Sequence, residues 1–359
     1  MKINPWLRIA ATAGVVVVVA VLAGTARMLE SHGVFISVTP GFGGSCRAVP
    51  SATGPEDIAI DKEDKIAFVS ASDRLARNKG KPSPKDGLYS YAYEMPGAGL
   101  VRLSGAPADF HPHGMSLYRA PDGSLTLMAV NHRLDKTSSV DIFSIQITGG
   151  TVKLEEVGSI AGRILTSPND LAAVDQDRFY VVNDHASKTD FGRWLDDALV
   201  LPRTNILYFD GMKFTIVAKG LNSPSGVALS KNGRYLYVAE SYPRTLLTFE
   251  RNPFSGELKQ AGMLSIPSNL DKADVAEDGS VWVGSHPKAF ATAAYRSNRG
   301  KPAPSEIFRV GVQNGVPQSA SLVYANMGDE IGASSVGVTV DSHLLIGSPF
   351  DSKILDCRL

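Results

Sequence analysis

Six similar segments of alternating apolar and polar residues recur along the chain after residue 50. Each has a polar residue, an apolar run, a turn often built on Asp-Gly or Asn-Gly, and a second apolar run. The segments are GPEDIAIDKEDKIAFVSAS from Gly54, HPHGMSLYRAPDGSLTLMAVNH from His111, SPNDLAAVDQDRFYVVNDH from Ser167, SPSGVALSKNGRYLYVAES from Ser223, NLDKADVAEDGSVWVGSH from Asn269 and ASSVGVTVDSHLLIGSPF from Ala333. Alternation with a period of two predicts β-strands, and a repeat of about 55 residues with further strand-like runs between the segments suits one four-stranded propeller blade.

The repeats predict an all-β fold, a six-bladed β-propeller over residues 31–359. We expect the ring to close by pairing a strand near Cys46 with a strand near Cys357. A β-sandwich is the alternative fold, but it gives no reason for a two-strand signature to recur six times. Helical periodicity is weak in this region, where residues 190–200 suit either a short helix or an ordered loop.

Residues 9–26 form an uncharged apolar run, IAATAGVVVVVAVLAGTA, with Lys2 and Arg8 before it and Arg27 after it. This is the short end of a membrane span, and the absence of a polar stripe disfavours a buried core helix. We therefore predict a signal anchor in residues 1–30 that holds the propeller at a membrane, outside the cytoplasm, in the periplasm or the extracellular space. A cleaved signal peptide is the alternative and would give a secreted protein.

The charges of the chain balance. Lys+Arg 36 and Asp+Glu 36 give a formal net charge of zero over 359 residues. Without a basic excess there is no field to hold nucleic-acid phosphates, so we expect no nucleic-acid partner. Nothing in the sequence indicates the oligomeric state.

The chain has two cysteines, Cys46 and Cys357, near the two ends of the predicted propeller. In an oxidising compartment such a pair predicts a disulfide. The chain-entropy model assigns a loop of this length about 5 kcal/mol as an upper figure. Two separate buried thiols are the alternative.

Polar residues stand at equivalent positions of the six repeats, where the innermost strand of each blade borders the central channel. Converging carboxylates and carboxamides are the oxygen ligands that Ca²⁺ takes, which suggests a calcium site. The alternative is that these residues only close turns before each strand. The positions are Glu56 with Asp57, His113, Asn169 with Asp170, Ser225, Asp271 with Lys272, and Ser335.

The motifs GPEDIAI, PHGMSL, VNHR, SPNDL, VVNDH, WVGSHP and the terminal LLIG before Cys357 resemble the paraoxonase/arylesterase family of calcium-dependent six-bladed propeller lactonases, in a membrane-anchored, bacterial-like form. The resemblance implies a catalytic calcium at the positions of Glu56, Asn169, Ser225, Asp271 and Lys272. It also implies a structural calcium at Asp57 and Asp170 with a carbonyl near Met115, and a water-managing pair, His113 and His132.

Two of these positions depart from the family pattern, because Ser225 and Lys272 stand where asparagines are expected. A hydroxyl can still coordinate calcium, but an ammonium cannot, and a lysine there can replace the ion. Asp57 and Asp170 are intact, so we expect at least one calcium. Placing an ammonium beside a divalent ion would cost several kcal/mol.

The resemblance implies a hydrolase of carboxylic esters or lactones, acting on small molecules by water attack on a carbonyl that calcium polarises. His113 would accept the proton of the water, and His132 would orient or relay it. No Gly-x-Ser-x-Gly elbow occurs, which argues against a serine hydrolase. The alternative is a non-catalytic or metal-free propeller, like the strictosidine-synthase-like propellers, that binds a ligand or a partner at the membrane surface.

Overall fold

The chain begins with a long apolar helix, α1 (Pro5–Ser31), in the computed structural model, which describes residues 5–298 and 300–359. The part Thr12–Ser31 is long and apolar enough to cross a membrane, and its most apolar window is 0% buried in the protein. At the end of the helix, the Asn269 amide donates to the Ser31 carbonyl at 2.6 Å, which ties it to the propeller. The predicted helix is confirmed, and its role as an anchor stays a prediction. Lys2 lies outside the described residues.

Six antiparallel four-stranded sheets make up the rest of the described chain, one of them with a short extra strand at its edge. The first two strands are β1 (Gly41–Phe42) and β2 (Ser45–Pro50). Blade 1 holds β3 (Pro55–Asp61), β4 (Ile66–Ala71), β5 (Gly87–Ala92) and β6 (Val101–Arg102). Blade 2 holds β7 (Pro112–Arg119), β8 (Leu125–His132), β9 (Ser138–Thr148) and β10 (Thr151–Ala161). Blade 3 holds β11 (Pro168–Ala173), β12 (Phe179–Asn183), β13 (Thr204–Phe209) and β14 (Phe214–Leu221).

The last three blades follow the same order. Blade 4 holds β15 (Pro224–Leu229), β16 (Tyr235–Glu240), β17 (Thr245–Arg251) and β18 (Leu258–Ser265). Blade 5 holds β19 (Leu270–Val275), β20 (Val281–Ser285), β21 (Ser305–Gln313) and β22 (Val316–Asn326), with β1 at its edge. Blade 6 holds β23 (Val336–Val340), β24 (His343–Gly347), β25 (Lys353–Arg358) and, as its outer strand, β2.

The first strand of each blade contacts the first strand of the next, from β3 through β7, β11, β15, β19 and β23 and back to β3. Six inner strands therefore surround one channel, and the predicted six-bladed propeller is confirmed. Three short helices lie between strands: α2 (Arg74–Asn78), α3 (Asp190–Ala198) and α4 (Ala289–Asn298). The segment 190–200, predicted as either a helix or a loop, is thus mostly the helix α3.

Apolar side chains fill the space between neighbouring blades. Val69 and Tyr91 of blade 1 pack in one cluster with Val338 of blade 6, and Tyr180 of blade 3 packs with Val238 of blade 4. Full burial of one large apolar side chain stabilises a fold by about 2 kcal/mol. The core therefore consists of layers between blades, which hold the inner strands at fixed distances.

The ring closes between the two ends of the chain. Strand β2 pairs with β25, and Cys46 and Cys357 are register partners joined by a disulfide. The predicted closure and the predicted disulfide are both confirmed. Strand β2 completes the last blade and leads along the chain into β3 of blade 1. Backbone hydrogen bonds and the disulfide therefore both hold the ring closed.

Candidate active site in the central channel

Five of the six inner strands begin with an irregularity in their pairing. The register shifts between Pro55 and Asp57, Pro112 and Met115, Pro168 and Asp170, Pro224 and Gly226, and Leu270 and Ala273. A bulge leaves an extra residue unpaired and re-aims its side chain. The residues at the five bulges are Glu56, His113, Gly114, Asn169, Ser225, Asp271 and Lys272. Six of the predicted site residues thus lie at a bulge, Asp57 and Asp170 directly follow one, and His132 lies on the next strand, β8.

Glycines at two of these bulges let neighbouring blades approach closely. A Cβ atom on Gly114 would lie 2.3 Å from Oδ1 of Asp170 and 2.5 Å from the carbonyl oxygen of Asn169. A Cβ atom on Gly226 would lie 2.3 Å from the carbonyl oxygen of Asp271. No real Cβ fits at such distances, so glycine is required where polar groups of adjacent blades meet.

His113 lies at the centre of a hydrogen-bonded chain from blades 1 and 2. Its Nε2 is 3.0 Å from Oε1 of Glu56, and its Nδ1 is 2.8 Å from Nε2 of His132. His132 Nδ1 is in turn 3.1 Å from Oγ of Ser138. A carboxylate only accepts, so Glu56 assigns the proton of His113 to Nε2 and leaves its Nδ1 as the acceptor for His132. The structure thus brings together the two histidines that the resemblance paired.

Both histidines are neutral at neutral pH. Burial, together with the positive charges of Arg74 and Lys272, holds the pKa of His113 well below its usual value. Burial and the charge of Arg77 lower the pKa of His132 to about 3. A neutral imidazole has a free lone pair, so the pair is in the protonation state that a general base needs.

Lys272 extends into the channel and binds residues of blade 3. Its Nζ donates to the carbonyl oxygen of Asn169 at 2.8 Å and to Oδ1 of the same residue at 2.6 Å. It lies 3.7 Å from Oδ1 of Asp170, and its side chain is only 1% exposed. The ammonium therefore occupies a buried, oxygen-lined position between blades 3 and 5.

The two predicted structural-calcium aspartates connect neighbouring blades. Asp57 accepts from the backbone N–H of Ile58 at 2.9 Å and of Met115 at 2.7 Å. Asp170 accepts in the same way from Leu171 and Val227, each at 2.9 Å. Burial raises the pKa of Asp170 to about 6, against the lowering effect of Lys272. Burial and the charge of Asp170 raise the pKa of Asp57 well above its usual value.

The other predicted ligands have partners of their own. Ser225 Oγ donates to the Ser223 carbonyl at 3.1 Å, and Asp271 Oδ2 is 2.8 Å from Nε2 of His286. The side-chain nitrogen of Asn169 donates to Oδ2 of Asp184 at 3.0 Å. Ser225 and Asp271 thus lie at the same end of the inner strands as Glu56 and His113, but their side chains contact residues of blades 4 and 5.

Sequence reasoning missed Arg74, which forms an ion pair with Glu56. Arg74 opens α2, whose N-cap Asp73 accepts from the backbone N–H of Ala76 at 2.8 Å. Burial and the charge of Arg77 lower the pKa of Arg74 to about 9. The available signal was the Asp-Arg-Leu-Ala-Arg run after a strand, which marks a capped helix start in a segment that otherwise resembles a rim loop.

A second missed group surrounds His185. Its Nδ1 is 2.8 Å from Oδ1 of Asp184, and its Nε2 is 3.0 Å from Oδ1 of Asp197. Burial alone would lower the pKa of His185, but the carboxylate of Asp184 raises it to about 10. His185 is therefore a cation at neutral pH. The sequence signal for this group was the Asn-Asp-His run that ends the third repeat. The other carboxylate partner of His185, Asp197, lies in α3.

These contacts do not fit a calcium ion at the position of Lys272 Nζ. Calcium takes six to eight oxygens. Here Oδ1 of Asn169 accepts from Lys272, and Glu56 is paired with Arg74. Both carboxylate oxygens of Asp57, and both of Asp170, accept from backbone N–H groups. Within the described residues, no group of three or more His, Cys, Asp or Glu side chains is arranged to hold a metal.

A six-bladed propeller with a carboxylate and a histidine pair in its channel suits hydrolytic chemistry. The sequence model of the Arylesterase family matches residues 92–359. The chain is 30% identical over 332 residues to serum paraoxonase/arylesterase 2 of Rattus norvegicus, covering 88% of this chain and 89% of that protein. It is 28% identical to serum paraoxonase/arylesterase 1 of Homo sapiens, with 86% of each chain covered. The chain belongs to the arylesterase family and is an enzyme of the esterase and lactonase class.

Solved structures resemble the fold at low sequence identity. A luciferin-regenerating enzyme superposes with a TM-score of 0.53 at 11% identity, covering 88% of this chain and 96% of that one. The periplasmic gluconolactonase of Pseudomonas aeruginosa gives 0.52 at 11% identity, covering 88% and 99%. At such identity the likeness supports the propeller and nothing finer.

Proposed function

We propose that this enzyme hydrolyses carboxylic esters and lactones at the channel end where Glu56, His113 and His132 meet, with water as the nucleophile. The observation that carries the proposal is the unbroken chain of contacts from Glu56 through the two histidines to Ser138. Family membership supports the reaction class, and the neutral state of both imidazoles supports their use as bases.

The contacts define a path for the proton of the attacking water. His132 accepts it at Nδ1, beside Ser138, and passes its own Nε2 proton to Nδ1 of His113. His113 then carries protons on both nitrogens and lies 3.0 Å from Oε1 of Glu56. The carboxylate stabilises this imidazolium, and the hydroxide adds to the carbonyl carbon.

We propose further that the channel works without a divalent metal. Negative charge develops on the carbonyl oxygen during attack, and a fixed positive charge in a buried site stabilises it. Lys272 and Arg74 supply such charge, and the contacts of Lys272 with Asn169 and Asp170 support this assignment. The calcium that the family resemblance implies is the alternative, and it would require Lys272 to leave these contacts.

The location of the enzyme is also a proposal. The exposed apolar part of α1, Thr12–Ser31, suits an anchor that holds the propeller at a membrane outside the cytoplasm. The disulfide between Cys46 and Cys357 supports an oxidising compartment. Cleavage after the apolar segment would instead release the propeller.

Turnover of phenyl acetate and of a lactone panel tests the proposed reaction. His113→Gln removes the imidazole that takes the proton from His132, and Glu56→Gln removes the charge that stabilises the imidazolium, so each should lower kcat by about 100-fold or more. Glu250→Gln is the matched control, since Glu250 is paired with Arg234 on an exposed surface. Unchanged kcat in both channel variants would place the active site elsewhere.

A further inference from the structure

Four arginines from three helices act electrostatically on the histidine pair or on one another. Arg74 and Arg77 come from α2, Arg193 from α3 and Arg296 from α4, and α2 and α4 contact each other. Their charges act on one another: burial and the charges of Arg77 and Arg296 lower the pKa of Arg74. Like charges at such range repel, so their convergence at one place requires compensation.

Carboxylates near these arginines already have partners. The ion pairs and hydrogen bonds join Glu56 with Arg74, Asp86 with His111, and both Asp184 and Asp197 with His185. The Asp86 carboxylate also accepts from the backbone N–H of Asp73 at 2.9 Å. Asp86 still acts on Arg77 and opposes the lowering of its pKa, but its two oxygens are held by His111, Ser72 and the backbone of Asp73.

Arg77 is a partly buried arginine of α2 with one unpaired donor. Its Nη1 is buried and has no hydrogen-bond partner among the described residues. A buried donor without an acceptor is unfavourable, and a charged one more so. The charge of Arg77 also lowers the pKa of His132, and Arg77 follows by one helical turn Arg74, which pairs with Glu56 of the proposed proton path.

We propose that Arg77 anchors an anionic group of the substrate, so that the enzyme acts on esters or lactones that carry a carboxylate or a phosphate. The proposal rests on the proposed function, since it assumes that the carbonyl lies at the histidine pair. A guanidinium presents a planar fork of donors that matches either anion.

The other three arginines would not bind the anion directly. Arg74 forms an ion pair with Glu56. Arg193 uses its Nε to donate to the Ser187 carbonyl at 3.1 Å, which orients its charge from α3. Arg296 is exposed on α4, where it attracts an anion from solution before Arg77 binds it. The channel end is thus selective for anionic substrates although the whole chain has no net charge.

Calorimetric binding of a product pair tests the anchor without any need for turnover. The probes are meta-hydroxybenzoate and its neutral methyl ester. In wild type the acid should bind at least tenfold more tightly than the ester, and rising salt should weaken the acid alone. Arg77→Gln should remove most of this preference, and Arg77→Lys should keep part of it. Arg234→Gln, an exposed arginine on blade 4, is the control.

Turnover of matched substrates is the second test of the role of Arg77. The carboxyphenyl acetate should exceed its methyl ester in kcat/KM, mainly through a lower KM, and Arg77→Gln should reduce this ratio about tenfold. A phosphorylated phenyl acetate, compared in the same way, shows whether phosphate or carboxylate is preferred. Equal binding of acid and ester by wild type, or an unchanged ratio in folded Arg77→Gln, would overturn the proposal. Selective binding without turnover of any ester would overturn the proposed function and leave the anchor standing.

Discussion

Lys272 places a buried positive charge in the channel. The contacts of its Nζ with Asn169 and Asp170 show where that cation lies. Buried aspartates need positive charge or donors nearby, because desolvation otherwise raises their pKa. In this chain, backbone N–H groups and Lys272 together stabilise Asp57 and Asp170.

His185 should make the stability of the protein depend on pH. Its pKa in the folded protein is about 10, above the ordinary histidine value of 6.5. Because the folded protein binds this proton more tightly than the unfolded chain does, the protonated His185 stabilises the folded state. This stabilisation is fully present below pH 6.5 and is lost as the pH rises toward 10. The gap in unfolding free energy between wild type and His185→Gln should therefore be largest at low pH and shrink across this window, by at least about 1.4 kcal/mol.

Urea unfolding at several pH values measures this gap. Lys188→Gln removes an exposed charge from the same loop and should show no such trend. A gap that stays constant up to pH 10 would mean that Asp184 and Asp197 do not hold a cationic imidazole.

Bulges at the start of the inner strands are the element that builds the site. Each one adds residues to a strand that otherwise alternates regularly, and the additions in blades 1 and 3 are Glu56 and Asn169. These extra residues lie at the first positions of their strands, before the apolar and polar alternation is established, so the sequence predicts the strands but not the bulges. The proline before the shift in blades 1 to 4 is a signal that could have been used, because proline favours bulges and strand starts.

Gly114→Ala should destabilise the contact between blades 2 and 3. The new Cβ would meet Oδ1 of Asp170 at 2.3 Å and the Asn169 carbonyl oxygen at 2.5 Å, so the backbone must shift. We expect a loss of about 1–3 kcal/mol in unfolding free energy, as for overpacking in a core, together with lower esterase turnover because His113 is adjacent.

The matched control is Gly158→Ala on the outer strand β10, where the nearest atoms to a new Cβ are 4.0 Å away. Denaturant unfolding of both variants gives the comparison. Equal stability of Gly114→Ala and wild type would show that the two blades can separate at the channel without cost.

At the scale of the whole molecule, the repeats predicted the ring, its closure and the disulfide, because each depends on periodicity and on the two chain ends. The contacts of long side chains could not be predicted in the same way. Arg74 reaches Glu56 from a helix of five residues, and Lys272 reaches blade 3 from blade 5. The direction that a long side chain takes depends on the three-dimensional space around it, which a strand pattern does not contain.

The rate of phenyl acetate hydrolysis at increasing free calcium, in chelator-treated protein, tests most directly the claim that internal cations replace the metal. The wild-type rate should stay flat, because Lys272 and Arg74 already provide the positive charge. Lys272→Asn supplies a carboxamide oxygen and removes that charge, so the rate of this variant should depend on calcium. A wild-type enzyme that is inactive after chelation and regains its rate with added calcium would contradict the account.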